Sequence, residues 1–111
     1  MSQRQEPDFE VEVCVDSGGA RVIVKGEIDV ATAERFEQGV LDAAGSGRSV
    51  VVDLSGTRFM DSTGLTAIVR IVGHLGEGSD DPRVIIESPS PAVAKTLRIS
   101  GVDRLVTILD A

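Results

Sequence analysis

The sequence has 111 residues, of which 41% are hydrophobic and 26% are charged, the balance of one small globular domain. Its formal net charge of −7 disfavours nucleic acid and anionic membranes as partners, because both are bound by clustered Lys and Arg. With one Cys and one His, the chain cannot form an internal disulfide and has few ligands for a zinc site.

The first third of the chain predicts a tail, a β-hairpin and a helix. Residues 1–7 are polar and are expected to form a flexible tail, and residues 8–111 a single domain. Apolar residues alternate with polar ones over residues 9–15, and a Gly-rich turn at 16–19 precedes a second strand over 21–26, which together predict an antiparallel hairpin. Apolar residues at helical spacing predict a helix over 30–44, with Asp29 as its N-cap.

The middle of the chain predicts a buried strand over 49–54 and an amphipathic helix over 62–75. We expect Leu65, Ile68, Val69, Val72 and Leu75 on the inner face of this helix, with Ile71 at its flank. The opposite face is expected to be smooth and nearly uncharged, and it carries Thr63, Thr66, Ala67, Arg70 and His74.

The last third predicts a strand over 83–87, a helix that begins with Ser90 as cap and Pro91, and a strand over 105–109. The order β-β-α-β-α-β-α-β indicates an α/β fold with a mainly parallel sheet and an antiparallel hairpin at its start. Because the apolar residues are Val, Ile, Leu and Ala with only three Phe, we expect strands that are covered on both faces.

The segment over residues 60–64 joins the central strand to the second helix, and it places the Ser62 hydroxyl beside the backbone N–H groups of a helix start. Asp29, Asp53 and Asp61 follow or end strands, and their spacing alone favours ordinary caps and turns over an acidic rim. His74 lies 12 residues after Ser62, roughly 18 Å along a helix, too far for a nucleophile–base pair. No phosphate-binding glycine motif, membrane-spanning run or signal peptide occurs, so we expect a cytoplasmic protein that is not an enzyme and holds no cofactor.

Four segments resemble the signatures of the STAS domain. Residues 26–29 (G-E-I-D) resemble its first motif, and residues 59–65 (F-M-D-S-T-G-L) resemble its phosphoacceptor segment. Residues 90–93 and 97–102 resemble its S-P-x-V and L-x-x-S-G-[LV] segments, in the order and at the spacing of the family. The resemblance covers roughly residues 9–109, and the length is similar to that of stand-alone bacterial anti-sigma factor antagonists of the SpoIIAA and RsbV type.

This resemblance implies a SpoIIAA-like fold and a partner-switching mechanism in transcription regulation. The unmodified protein would bind an anti-sigma factor that is a serine kinase of the GHKL type, which releases a sigma factor. The kinase, with its own ATP and Mg²⁺, would phosphorylate Ser62, and a PP2C-like phosphatase would reverse the reaction. The residues expected near the phosphosite are Asp29, Asp61, Thr63 and Gly64, and those expected to contact the partner are Met60, Thr66, Ala67 and Arg70.

Three alternatives stay open at this point. Thr63 follows Ser62 directly, so either hydroxyl could be the acceptor on physical grounds. The chain could instead be a STAS scaffold in a stressosome-like assembly. A receiver domain phosphorylated on Asp53 is disfavoured, because only Asp16 follows the first strand and no Lys follows residue 95.

Overall fold

A computed structural model describes residues 9–45, 48–75 and 84–110. The predicted tail over residues 1–7 and the predicted loop over residues 76–82 lie outside the described residues. The elements follow the predicted order: β1 Glu10–Asp16, β2 Gly19–Ile28, α1 Ala33–Ala44, β3 Val50–Met60, α2 Ser62–Leu75, β4 Val84–Glu87, α3 Pro91–Ser100, a 3₁₀ turn Val102–Arg104 and β5 Thr107–Leu109. In these three ranges no helix is long and apolar enough to cross a membrane.

The strands form one sheet in the order β1-β2-β3-β4-β5. β1 and β2 are antiparallel, which confirms the predicted hairpin, and the other neighbouring pairs are parallel. Because each parallel strand lies beside the previous one, right-handed crossovers place the intervening helices on the same face of the sheet.

The expectation of a sheet covered on both faces is therefore wrong. Along β2, buried residues alternate with half-buried or exposed ones, and every second residue from Ala20 to Ile28 is buried. On the other face, the Arg21 side chain of β2 reaches across β3 toward β4, with Nη1 2.5 Å from Glu87 Oε1 and 3.9 Å from Asp53 Oδ2. The hydrogen bond with Glu87 raises the pKa of Arg21. Within the described residues, this ionic cluster lies on the face of the sheet opposite the buried side chains of β2.

β3 is longer than predicted, and it ends at Met60 instead of at residue 54. The pairing of β2 with β3 shifts at two points. The three residues from Ile23 to Lys25 face the four from Asp53 to Gly56, and the two residues Gly26 and Glu27 face the three from Thr57 to Phe59. Each shift inserts one extra residue into β3, which is a β-bulge. The first bulge lies at Leu54 and Ser55, Gly56 is again paired with Lys25, and the strand continues to Met60.

The two helices beside this strand end also differ from expectation. α1 begins at Ala33, three residues later than predicted, and Val30 is 82% exposed. α2 has the predicted bounds, but its buried face is formed by Gly64, Ala67, Ile68, Ile71, Val72 and Leu75. Ala67 and Ile71 are thus buried where an outer and a flanking position were predicted, and Val69 is 46% exposed where an inner one was predicted. The buried face of α2 is therefore rotated about the helix axis relative to the predicted one. Gly64 packs closely against the core, and a glycine does not contribute to a pattern of apolar residues.

The C-terminal part of the domain follows its local signals closely. Ser90 caps α3 by accepting a hydrogen bond from Val93 N, Pro91 is its first residue, and Gly101 ends it in the left-handed conformation. The Ser90 hydroxyl also donates to Thr57 O at 2.6 Å, which ties α3 to β3. β5 starts at Thr107, two residues later than predicted, because the chain first makes the 3₁₀ turn.

Candidate functional site

The carboxyl ends of β2 and β3 meet at one edge of the sheet. Ile28 and Met60 are paired residues of these parallel strands, and Asp61 N donates to Ile28 O at 3.1 Å. Asp29 and Asp61 directly follow the paired residues, so the two acids lie on neighbouring strand ends. This register brings the first sequence motif to the segment that holds Ser62, as the order of the strands requires.

Asp61 caps α2. Its Oδ1 accepts a hydrogen bond from Thr63 N at 2.9 Å and another from the Thr63 hydroxyl, and its backbone carbonyl accepts from Gly64 N and Leu65 N. An acidic cap satisfies helix-end N–H groups and interacts favourably with the helix dipole. The role of Asp61 in the fold is therefore that of the N-cap, and Ser62 is the first residue of the helix.

The hydroxyls of Ser62 and Thr63 lie in different environments. Thr63 is half-buried and its hydroxyl is bonded to Asp61, whereas Ser62 is exposed. Within the part of the chain that the structure describes, the Ser62 Oγ makes no hydrogen bond, and only its backbone carbonyl is engaged, by Thr66 Oγ1 at 3.0 Å. Of the two neighbouring hydroxyls, Ser62 is the one that a second protein can reach without first breaking a bond in this domain.

Gly64 and Met60 hold the start of α2 against the sheet. A Cβ built on Gly64 would lie 2.5 Å from Met60 Cγ and 2.9 Å from Ile28 Cγ2, closer than real Cβ contacts. The Met60 side chain is only 2% exposed. The packing of Gly64 and Met60 therefore fixes the position of Ser62 on the sheet. Met60 was expected to contact a partner, but its side chain is buried in its own domain.

A hydrogen-bonded turn after β2 places Asp29 beside this helix start. The Asp29 backbone carbonyl accepts from Thr32 N and Ala33 N, and its Oδ1 accepts from Ala31 N at 3.0 Å. Thr32, which is 2% exposed, donates through Oγ1 to Glu27 O at 2.7 Å and accepts from Asp29 N at 2.9 Å. Asp29 thus forms a turn and does not cap α1 directly. The sequence did not point to Thr32, although Asp29 is a turn former whose side chain binds the backbone two residues on, here Ala31 N.

A groove of about 450 Å³ runs between α1 and α2 from Ser62 to Arg70. Ala67, which is 3% exposed, lies along it and cannot protrude toward a partner, whereas Thr66 and Arg70 are exposed as predicted. We call this cavity the α1–α2 groove; its lining residues are Val30, Ala33, Glu34, Glu37, Gln38, Ser62, Thr63, Thr66, Ala67 and Arg70.

The surroundings of Ser62 are acidic. Asp61 directly precedes it, and Asp29 follows the end of the neighbouring strand β2. Glu34 and Glu37 line the groove together with Arg70, whose Nη1 lies 3.7 Å from Glu37 Oε1. Among the described residues, no group of three His, Cys, Asp or Glu side chains is arranged to hold a metal ion. His74 lies at the far end of the same helix, too far along it to pair with the Ser62 hydroxyl.

Comparison with known proteins assigns the chain to a family. Residues 13–111 match the STAS domain, and the chain belongs to the STAS domain family. No curated protein sequence matches the chain.

Solved structures share the fold. An anti-sigma factor antagonist from Mycobacterium paratuberculosis is similar with a TM-score of 0.81 and 24% identity, over 98% of this chain and 92% of that one. An anti-sigma-factor antagonist (STAS) domain protein from Planctomyces limnophilus has a TM-score of 0.74 at 18% identity, over 91% and 89% of the two chains. The anti-sigma factor antagonist SpoIIAA in its unphosphorylated form has a TM-score of 0.60 at 20% identity, over 93% and 88%. These likenesses establish an α/β STAS fold with a mixed five-stranded sheet.

Proposed function

We propose that this chain is an anti-sigma factor antagonist whose switch is Ser62. In its unmodified form it binds an anti-sigma factor serine kinase of the GHKL type and so frees a sigma factor for transcription. Phosphorylation of Ser62 by that kinase ends the interaction, and a PP2C-like phosphatase restores it. The observation that carries the proposal is the Ser62 hydroxyl itself, which is exposed and unbonded at the first position of α2.

The position of Ser62 supports a role as a substrate of another enzyme. A phosphate at the first turn of a helix is stabilised by the helix dipole by roughly 0.3–1 kcal/mol, so the fold can accept it. The same phosphate would add about −1.5 to −2 charges between Asp29 and Asp61. Its effect therefore falls on a bound partner, which would have to desolvate this concentrated negative charge. A thousandfold loss of affinity needs roughly 4 kcal/mol, which a buried, unpaired double charge can supply.

The site residues divide by their placement. Asp61 and Gly64 present Ser62, while Thr66 and Arg70 lie on the exposed side of α2 next to it and are proposed to touch the kinase. Met60 and Ala67 act through packing, because both side chains are buried.

A receiver domain phosphorylated on Asp53 does not fit the sheet. Receivers have a doubly wound parallel sheet in the order 2-1-3-4-5. Here the order is β1-β2-β3-β4-β5 with an antiparallel first pair, and Asp53 lies within β3 with its Oδ1 bonded to Ser55 N and Ser55 Oγ. A scaffold role in a stressosome-like assembly would use the same fold, and it is separated from the proposed switch by the phosphorylation experiment.

Phosphorylation of purified variants tests the proposal. Each GHKL-type anti-sigma factor kinase of the source genome is incubated with MgATP and wild-type protein, Ser62→Ala or Thr63→Val, and the products are analysed by intact-mass and peptide mass spectrometry. We expect one phosphate on wild type and on Thr63→Val, and none on Ser62→Ala. Equal labelling of Ser62→Ala would refute the site, and an acid-labile label would point to an aspartate. Ser62→Asp should bind the kinase at least about a hundredfold more weakly than Ser62→Ala.

A further inference from the structure

A solvent-exposed valine lies on a hydrogen-bonded turn and lines the same groove as Ser62. Val30 is 82% exposed, although it is an apolar residue in a turn where a polar one would meet the solvent more favourably. The residues on both sides of it are hydrogen-bonded to one another. Thr32 N and Ala33 N donate to Asp29 O at 3.0 and 2.8 Å, and Ala31 N donates to Asp29 Oδ1. Below them the Thr32 hydroxyl bridges Asp29 N and Glu27 O. These hydrogen bonds therefore fix the backbone on both sides of Val30.

The same valine lines the α1–α2 groove together with Ser62. An apolar side chain on a preorganised turn gains affinity when a partner covers it, because its ordering has already been completed in the free protein. Residues of this kind dominate the energy of an interface when they fill a pocket on the other side. Val30 has the exposure, the position and the hydrogen-bonded backbone expected of such an anchor.

The charge of the groove defines the surface that could cover it. Glu34 is exposed and has no ion-pair partner within the described part of the chain, while Glu37 is already paired with Arg70. Asp29 directly precedes Val30 and Asp61 directly precedes Ser62, so the chain around this part of the groove is negative, in a protein with a net charge of −7. A basic partner surface would be attracted to it, and an acidic one would be repelled.

We propose that the α1–α2 groove is the docking surface for the anti-sigma factor kinase, with Val30 inserted into an apolar pocket of the kinase and Glu34 facing a Lys or Arg beside that pocket. This inference rests on the proposed function and adds a contact that is separate from the phosphoacceptor. Kinase recognition would then have two parts, an anchor that sets affinity and an acidic wall that speeds association, while Ser62 carries the switch. A kinase lacking the apolar pocket or the cation would not be recognised, so the same residues would determine which kinase the protein binds.

The test compares matched substitutions at the groove and away from it. Val30→Ala is compared with Val15→Ala, since Val15 is 50% exposed on β1 at the sheet edge. Glu34→Lys is compared with Glu12→Lys, which changes the net charge equally on the face of the sheet opposite the helices. All four are surface residues, and thermal melts followed by circular dichroism verify that each variant folds like wild type.

Binding is measured by surface plasmon resonance against immobilised, purified GHKL-type anti-sigma factor kinases of the source genome, one at a time, at low and high salt. We expect Val30→Ala to weaken binding about tenfold, mainly through faster dissociation, and Val15→Ala to leave it within about twofold. Glu34→Lys should slow association about tenfold at low salt, an effect that disappears near 1 M salt, and Glu12→Lys should not.

The outcomes separate this inference from the proposed function. If wild-type protein binds a kinase and the groove variants bind as well as their controls, the docking surface is wrong and the proposed function stands. If Glu34→Lys and Glu12→Lys slow association equally, only net charge matters and the acidic wall is wrong. If wild-type protein binds none of these kinases, both the proposed function and the docking surface are overturned.

Discussion

Gly64 is the residue whose replacement best tests how Ser62 is positioned. In an exposed helix, Gly→Ala increases stability by up to about 1 kcal/mol, because Ala loses less backbone entropy on folding. At Gly64 the new methyl would overlap Met60 Cγ at 2.5 Å and Ile28 Cγ2 at 2.9 Å, with Met60 Sδ at 3.2 Å. Overpacking of a core costs about 1–3 kcal/mol. We therefore expect Gly64→Ala to lower the free energy of unfolding by about 1–2 kcal/mol.

The same helix contains a matched control. Gly73 is exposed, and a Cβ built on it would have no neighbouring atom within 4 Å. Gly73→Ala should therefore raise the free energy of unfolding by about 0.5–1 kcal/mol. Since 1 kcal/mol moves the Tm of a domain near this size by roughly 4–8 °C, the two variants should shift the Tm in opposite directions.

The assay is urea unfolding followed by circular dichroism, with linear extrapolation to water for wild type, both single variants and a Met60→Ala background. Removing Met60 Cγ and Sδ takes away two of the three close contacts, so Gly64→Ala should cost about 1 kcal/mol less in that background. Stabilisation by both Gly64→Ala and Gly73→Ala would refute the close approach of α2 to β3. An unchanged cost in the Met60→Ala background would show that the strain lies elsewhere.

Three further outcomes are expected. Thr32→Val should lower the free energy of unfolding by about 1–3 kcal/mol in urea denaturation, because it leaves the backbone partners of a buried hydroxyl unpaired, and Thr32→Ser should restore most of it. Asp61→Ala should cost about 1 kcal/mol as the loss of an N-cap, measured by the same method, and a change below about 0.3 kcal/mol would contradict the capping role. Ser62→Asp should keep the Tm within about 3 °C of wild type in thermal melts, since the new charge lies at a helix N-terminus; a much larger loss would show that phosphorylation acts by unfolding.

The sequence by itself determined those features of the fold that depend on residues close together in the chain. The order of the elements, the hairpin, the Ser90–Pro91 start of α3 and its Gly101 end were predicted correctly, because alternation, helical spacing and capping are local signals. The motifs also identified the STAS family and directed attention to the segment around Ser62.

Only the tertiary structure decided how these elements face one another. Helical spacing placed Val69 on the inner face and Ala67 on the outer one, but α2 packs with Gly64 against Met60, which exposes Val69 and buries Ala67. The different environments of the two neighbouring hydroxyls likewise depend on geometry, since Asp61 binds the Thr63 hydroxyl, whereas the Ser62 Oγ makes no hydrogen bond to the described residues. The sheet with one open face follows from the sequential strand order. A periodic pattern shows which residues are apolar. Which residues of a helix contact the sheet, and on which face of the sheet the helix lies, depend on residues far apart in the chain.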